Sequence, residues 1–192
     1  TGGTINLAVG GTPAGALQPN AISDLGGQGI VIEANAAATA INIGNVSLTN
    51  SVNTGILLKN DNATTSISSD AGSGIVKTTA GAAIGIDGGA PNFDYFGTIN
   101  NAPTAGAGYM AQIFNTTGGT VLIDGPGSAS LADSGDGIFI SNASNANITV
   151  SGAQMSSTGP QALLVDNSGG TFKRPDITTF LTNDLTFHFV AW

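Results

Sequence analysis

The chain contains no cysteine, so neither a disulfide nor a thiolate metal site can stabilise its fold. Charged residues make up only 8% of its 192 residues, and just four of them are basic. The 12 acidic residues bring the formal net charge to −8, which leaves no basic stripe for phosphates and argues against a nucleic-acid partner. No apolar run approaches the roughly 18 residues of a membrane-spanning helix, so we expect no membrane insertion.

Histidine is nearly absent as well, because His188 is the only one, and this excludes a histidine-based metal centre. We interpret His188 as a half-buried strand residue, since no Gly-x-Ser-x-Gly nucleophile elbow accompanies it. The acidic segment Asp133–Gly137 does not match the EF-hand loop, which requires a bidentate Glu at its twelfth position. We therefore predict no metal ion and no cofactor.

Carboxylate pairs suited to glycoside cleavage are also scarce. The candidates are Asp87 with Asp94, Asp133 with Asp136, and Asp166. Most of them stand beside glycine, serine or asparagine, where aspartate is favoured as a turn residue. A pectin-cleaving lyase would also need Arg or Lys close to acidic metal ligands, and the single arginine, Arg174, lies outside the repeat described below. We predict no catalytic residue and expect that the protein is not an enzyme.

Glycine is abundant, with 29 residues, and it opens a repeated pattern of two short apolar strands. The first strands are predicted at 29–32, 55–58, 74–76, 108–113, 137–140 and, without the glycine, 162–165; the second strands at 40–43, 66–67, 84–86, 120–123 and 147–150. Successive opening glycines are between 19 and 34 residues apart, as in solenoid proteins. Because one such coil cannot bury its apolar face alone, the coils must stack. The pattern predicts an all-β, single-domain parallel β-helix (β-solenoid) with irregular coils.

The clearest repeat unit is residues 136–143 followed by residues 147–152, which combines a glycine, an alternating strand, an Asn-containing turn and a second strand. This unit resembles the right-handed parallel β-helix of bacterial surface and secreted proteins, especially autotransporter passengers and related adhesins. The resemblance extends over residues 26–171. It implies a right-handed coil and an extracellular or cell-surface location.

Asparagines recur just after the first strands, where their side chains tolerate a left-handed backbone and form local hydrogen bonds. The predicted turn and ladder residues are Asn35, Asn60, Asn115, Asn142 and Asn167. In the predicted register several of them stack as a ladder. The alternative is that asparagine is simply a common turn residue in an Asn-rich chain.

The last residues depart from the repeat, since Pro175 interrupts strand pairing and large apolar side chains become denser. We therefore divide the chain into a β-solenoid at 1–171 and a segment at 172–192 that either caps the solenoid or donates a strand to a neighbouring subunit. The candidate assembly residues are Leu185, Phe187, Phe189, Val190 and Trp192.

Two functions remain open. The first is an extracellular structural or adhesive protein that acts either as a single rigid rod or as the subunit of a self-assembling filament that stacks end to end. Its partner is then a second copy, or a glycan or protein of a host or other surface. The second is a β-helix that binds or cleaves a polysaccharide. For it, the candidate glycan contacts are Phe93, Asp94, Tyr95 and Phe96. The alternative is that these side chains form the core of a longer loop packed on the coil, which is the more common role of such a cluster.

Overall fold

The computed structural model describes residues 4–7, 20–23, 27–44, 46–68, 74–101, 108–124, 130–133, 137–151, 154–157, 163–166, 171–173, 180–181 and 188–190. Side-chain environments are described within 27–44, 46–68, 74–76, 78–101, 108–124 and 137–150. Every regular element in these ranges is a β-strand. Helix is absent from this part of the chain, so none of it forms a helix long and apolar enough to cross a membrane.

The strands form three sheets of seven strands each. The first sheet contains β3 (Ile30–Glu33), β6 (Ile56–Asp61), β9 (Ile84–Gly89), β12 (Ala111–Phe114), β15 (Ile138–Ser141), β18 (Leu163–Asp166) and β21 (His188–Val190). The second sheet contains β1 (Thr4–Leu7), β4 (Ala40–Ile43), β7 (Thr64–Ser68), β10 (Asn92–Phe96), β13 (Thr120–Asp124), β16 (Asn147–Ser151) and β19 (Thr171–Lys173). The third sheet contains β2 (Asn20–Ser23), β5 (Val46–Thr49), β8 (Gly74–Lys77), β11 (Thr98–Asn101), β14 (Ser130–Asp133), β17 (Gln154–Ser157) and β20 (Phe180–Leu181).

All strand pairs are parallel, and each strand pairs with the strand three places earlier or later in the chain. The chain therefore visits the three sheets in turn and climbs by one strand per coil. With neighbouring strands about 4.8 Å apart, seven stacked strands extend for about 30 Å along the axis. This arrangement is a parallel β-solenoid and confirms the fold class expected from the repeat.

The sheet assignment of two predicted strands was wrong. Gly74–Val76 belongs to the third sheet rather than to the first strands of the repeat, and Ile84–Ile86, predicted as a second strand, lies in the first sheet. The error arose because a glycine followed by branched apolar residues fits a strand of any sheet. The other strands of the third sheet were missed, since strands such as Thr98–Asn101 are mostly polar and short.

The core consists of apolar side chains from alternate strand positions, stacked in rows along the axis. In the first sheet, one row runs through Ile32, Leu58, Ile86, Ile113 and Ile140, all at most 6% exposed. In the second sheet Phe93 and Tyr95 lie in equivalent rows, and the Tyr95 hydroxyl donates to the Thr98 carbonyl at 2.8 Å. Successive side chains in a strand point to opposite faces, so the intervening residues form the outer faces.

Three short strands fall in the C-terminal segment: β19, β20 and β21 are the last strands of the second, third and first sheets. They pair in parallel with β16, β17 and β18. The division into a solenoid at 1–171 and a cap or donated segment at 172–192 stays a prediction.

Candidate functional site

The outer face of the first sheet carries the most varied surface chemistry among the described side chains. Its central outward row contains Val31, Leu57, Gly85, Gln112 and Phe139, which the parallel register places side by side. A second outward row contains Glu33, Lys59, Asp87, Phe114 and Ser141. Charged and aliphatic groups therefore occupy the coils nearer the N-terminus, and aromatic groups occupy the later coils.

Three aromatic side chains form a cluster on this face, which we call the aromatic patch: Tyr109, Phe114 and Phe139. The Phe139 ring stacks on Tyr109 with centroids 5.7 Å apart and planes at 30°. It also meets Phe114 in an edge-to-face contact, with centroids 5.5 Å apart and planes at 71°. All three side chains are partly exposed, so their rings are shared between this cluster and solvent.

Strand alternation explains why the rings lie outside. Ile138 and Ile140 point into the core, so Phe139 between them points outward. In the preceding coil, Ala111 and Ile113 are buried, which turns Gln112 and Phe114 outward. The register pairs Gln112 with Phe139, so Phe139 contacts rings on either side of Gln112.

Polar groups border the aromatic patch. Asp87 is the register partner of Phe114 in the preceding coil, and the Asn115 side-chain amide donates to its Oδ1 at 2.9 Å. Ser141 is the register partner of Phe114 in the next coil. Further along the same row, the Lys59 ammonium pairs with Glu33 at 3.0 Å, with both side chains about half exposed. The patch is therefore edged by amide, hydroxyl and carboxylate groups.

Neighbouring side chains fill the space above Gly85 in the central row. A Cβ at this position would lie 2.9 Å from the Thr54 methyl group and 3.3 Å from a Leu57 methyl group. These two side chains cover the glycine, which is itself buried.

The candidate glycan contacts at 93–96 lie in β10 of the second sheet, where two of the four side chains are buried and two are exposed. Phe93 and Tyr95 are at most 1% exposed and belong to the core, so their rings are not available to a ligand. Asp94 and Phe96 point outward, and Phe96 is 43% exposed. Partial burial, and secondarily the negative charge of Asp124, raise the pKa of Asp94 above its ordinary value.

The predicted turn asparagines follow the strands of the first sheet. Asn60, Asn115 and Asn142 have left-handed backbones, with φ between 48° and 54°. The register aligns them with Gly88, at φ 79°, and with Ala34, at φ 57°. In the first of these coils Ala34 therefore has the left-handed backbone and Asn35 is the next residue. Asn167 lies outside the described residues.

The candidate assembly residues lie largely outside the described part of the chain. Phe189 and Val190 belong to β21, which is the end strand of the first sheet. Leu185, Phe187 and Trp192 are not among the described residues. His188 is the first residue of β21.

The acidic residues considered for catalysis are spread over the coil. Asp87 is in the first sheet and Asp94 in the second, while Asp133 and Asp166 end β14 and β18. Asp136 lies outside the described residues. Among the described residues, no three His, Cys, Asp or Glu side chains form a group that could hold a metal ion.

One further carboxylate is unusual because it is inside the solenoid. Asp61 ends β6 and is fully buried, and neither of its carboxylate oxygens has a hydrogen-bond partner within the described part of the chain. Its backbone carbonyl accepts a hydrogen bond from Ala90 N–H at 3.1 Å. Burying an unpartnered carboxylate is costly, so this residue lowers the stability of the coil.

Sequence reasoning missed the aromatic patch, although a signal for it was present. Phe139 stands between two isoleucines, and Phe114 follows Ile113, so the two-residue alternation places both rings on the outer face. Their contact depends on a register between residues about 27 positions apart, which alternation within one strand does not reveal.

The chain was compared with known proteins. It matches no protein-family model, no curated protein and no solved structure.

Proposed function

We propose that the protein is an extracellular structural and adhesive solenoid, whose stacked sheets provide a stiff support and whose outer faces contact a surface. The observation that carries this proposal is the continuity of the three sheets, in which every strand except those at the two ends has a parallel neighbour on both sides. Backbone hydrogen bonds directed along the axis resist bending and stretching, as in other repeat proteins. The resemblance to autotransporter passengers and adhesins supports a bacterial cell-surface setting.

The two ends of the solenoid support end-to-end assembly. The strands β1, β2 and β3 end the three sheets on one side, and β19, β20 and β21 end them on the other. An end strand presents a row of backbone groups to which another strand can pair. Stacking β21 of one copy beside β3 of the next joins two different surfaces, and repetition of such a contact produces a filament.

The hydrogen-bond directions in β3 identify a residue at which this stacking can be tested. The N–H groups of Ile30 and Ala34 donate to the following coil, to Gly55 and Lys59. Because successive N–H groups along a strand point to opposite sides, the Val31 N–H points to the side of β3 on which no described strand pairs, which we call the open edge. Val31 is also half exposed, so its side chain does not contribute to the core.

The test compares the full-length protein with Val31→Pro and Val31→Thr by negative-stain electron microscopy over a concentration series. Proline removes the N–H that faces the open edge, whereas threonine keeps it and favours strands. We expect filaments of the parent protein and of Val31→Thr, each many times the roughly 30 Å length of one copy, and few or none of Val31→Pro.

Equal filament formation by Val31→Pro would show that this edge is not the assembly contact. If no variant forms filaments at any concentration, self-assembly is not part of the function, and the solenoid acts as a single supporting unit. Circular dichroism of the three proteins checks that the proline leaves the strand content intact.

The alternative function, binding to a polysaccharide, is favoured by one specific observation, which is the aromatic patch. It is compatible with the structural role, because an adhesive solenoid needs a surface that recognises its target. Its ligand class is argued below.

A further inference from the structure

We propose that the outer face of the first sheet, centred on Tyr109, Phe114 and Phe139, is a binding surface for a neutral polysaccharide. This inference rests on the proposed adhesive function and specifies the class of surface to which the protein adheres. It moves the glycan-binding surface from the β10 residues to the neighbouring sheet.

The arrangement of the rings is the first argument. Phe139 makes one stacked and one edge-to-face contact, so its ring is held from two sides at a partly exposed position. Such mutual contacts restrict the rings before any ligand arrives and reduce the entropy lost on binding. A sugar ring has a face of C–H groups that packs on an aromatic ring, with hydroxyl groups around its edge.

The border of the patch supplies the second argument. The Gln112 amide lies beside Phe139 in the same row, and Asp87 and Ser141 flank Phe114. Amide, carboxylate and hydroxyl groups can donate to or accept from sugar hydroxyls. A few polar groups around an apolar surface are the usual composition of a site that both binds and orients its ligand.

Charge restricts the ligand to a neutral one. Lys59 is the one lysine whose side chain is described on this face, and it is paired with Glu33. Asp87 adds negative charge directly beside the aromatic patch, and the whole chain has a formal net charge of −8. An anionic polysaccharide would be repelled, whereas a neutral polyol would not.

The length of the patch indicates an oligomer rather than a single sugar. The Phe139 ring lies between the other two, with its centroid 5.7 Å from that of Tyr109 and 5.5 Å from that of Phe114, so the three rings together form an apolar strip two ring spacings long. Phe139, from the next coil, contacts both of them. The rings can therefore contact successive units of one chain laid across the sheet.

The experiment is affinity gel electrophoresis of the full-length protein in gels that contain hydroxyethylcellulose, xylan, dextran or mannan, with polygalacturonate as the anionic comparison. Phe139→Ala removes the ring that contacts the other two. Phe96→Ala is the matched control, because Phe96 is an exposed phenylalanine on the second sheet. Phe139→Leu removes the aromatic ring and keeps apolar volume, in case the alanine variant does not fold.

We expect at least one neutral polysaccharide to retard the parent protein and Phe96→Ala equally. The Phe139 variants should bind about tenfold more weakly, which corresponds to about 1.4 kcal/mol. The proposal is overturned if no neutral polysaccharide retards the parent protein, if polygalacturonate alone does so, or if folded Phe139 variants bind as well as the parent. It is also overturned if sedimentation shows that Phe139→Ala dissociates a dimer, because a second copy then occupies this face.

The outcome is separable from that of the proposed function. Filament formation depends on the end strands and is measured by microscopy, and Phe139 lies in β15, four strands from the β3 end of its sheet. Loss of polysaccharide binding with filaments intact would overturn only the ligand assignment. Loss of filaments in Val31→Pro with binding intact would leave it standing.

Discussion

Gly89→Ala is expected to destabilise the solenoid more than Gly88→Ala, the other glycine-to-alanine substitution at the same turn. Gly89 ends β9 with φ at 77°, in the left-handed region that disfavours a side chain. A Cβ there would overlap the Asp61 carbonyl oxygen and lie 2.7 Å from Asp61 N and 2.8 Å from its carbonyl carbon. All three atoms are backbone of the preceding coil, so they cannot move without shifting that coil.

The expected cost has two parts. The left-handed backbone costs alanine about 1–2 kcal/mol relative to glycine. The overlap with the preceding backbone adds about 1–3 kcal/mol, the usual range for overpacking. Together they lower the free energy of unfolding by about 2–5 kcal/mol, which for a chain of this size lowers Tm by about 4–20 °C.

Gly88 provides a matched comparison within the same turn. Its φ is 79°, but a Cβ there would meet the side-chain Oδ1 of Asn60, which can rotate away. Gly88→Ala should therefore cost only about 1–2 kcal/mol from the backbone. Gly88→Asn should cost less, because asparagine tolerates this conformation and occupies the equivalent position at Asn115 and Asn142.

The assay is thermal and urea denaturation of the parent and the three variants, followed by far-ultraviolet circular dichroism. The expected order of stability is parent, Gly88→Asn, Gly88→Ala and then Gly89→Ala. If Gly89→Ala were as stable as Gly88→Ala, the close approach of the two coils at Asp61 could not be what requires glycine at residue 89.

Three further perturbations test the core and the carboxylates. Ile113→Ala should lower the free energy of unfolding, measured by urea denaturation, by about 2–5 kcal/mol because Ile113 is fully buried. Val76→Ala should lower it far less, because Val76 is 40% exposed. Equal losses would contradict the inward assignment of Ile113. Asp61→Asn should raise the urea midpoint, since a neutral amide is less costly to bury than a carboxylate, and a lower midpoint would mean that the carboxylate has a stabilising partner. Because the pKa of Asp94 is raised in the folded protein, stability should fall as pH rises through that pKa. Asp94→Asn should flatten this part of a profile of Tm against pH, and Asp124→Asn should make the fall in Tm smaller. Both effects should be modest because Asp94 is exposed. An unchanged profile for Asp94→Asn would rule out its contribution.

The aromatic residues of β10 and those of the aromatic patch show that the two-residue alternation of a strand determines which rings are exposed. Phe93 and Tyr95 alternate with Asp94 and Phe96 along β10, so one of the two pairs must face the core. The inward rows of the second sheet hold Phe93 and Tyr95, which are the bulkier pair. The composition of the segment left open whether its rings form a surface cluster or the core of a loop, and the parity of the strand decides which rings are exposed. The same parity, applied to Phe114 and Phe139, identifies rings that remain on the surface.

Short strands with apolar residues, and coils that must stack to bury those residues, can be predicted from the amino-acid sequence. These features follow from local chemistry: the two-residue period of a strand, the turn preference of glycine and asparagine, and the shortage of charge. Three features emerge only in the folded chain: which strands share a sheet, the alignment of Ala34 and Gly88 with the turn asparagines, and the contact of Phe139 with Tyr109 and Phe114. The physical reason is that these contacts depend on hydrogen-bond register between coils about 27 residues apart, which the summed packing of all the rows selects.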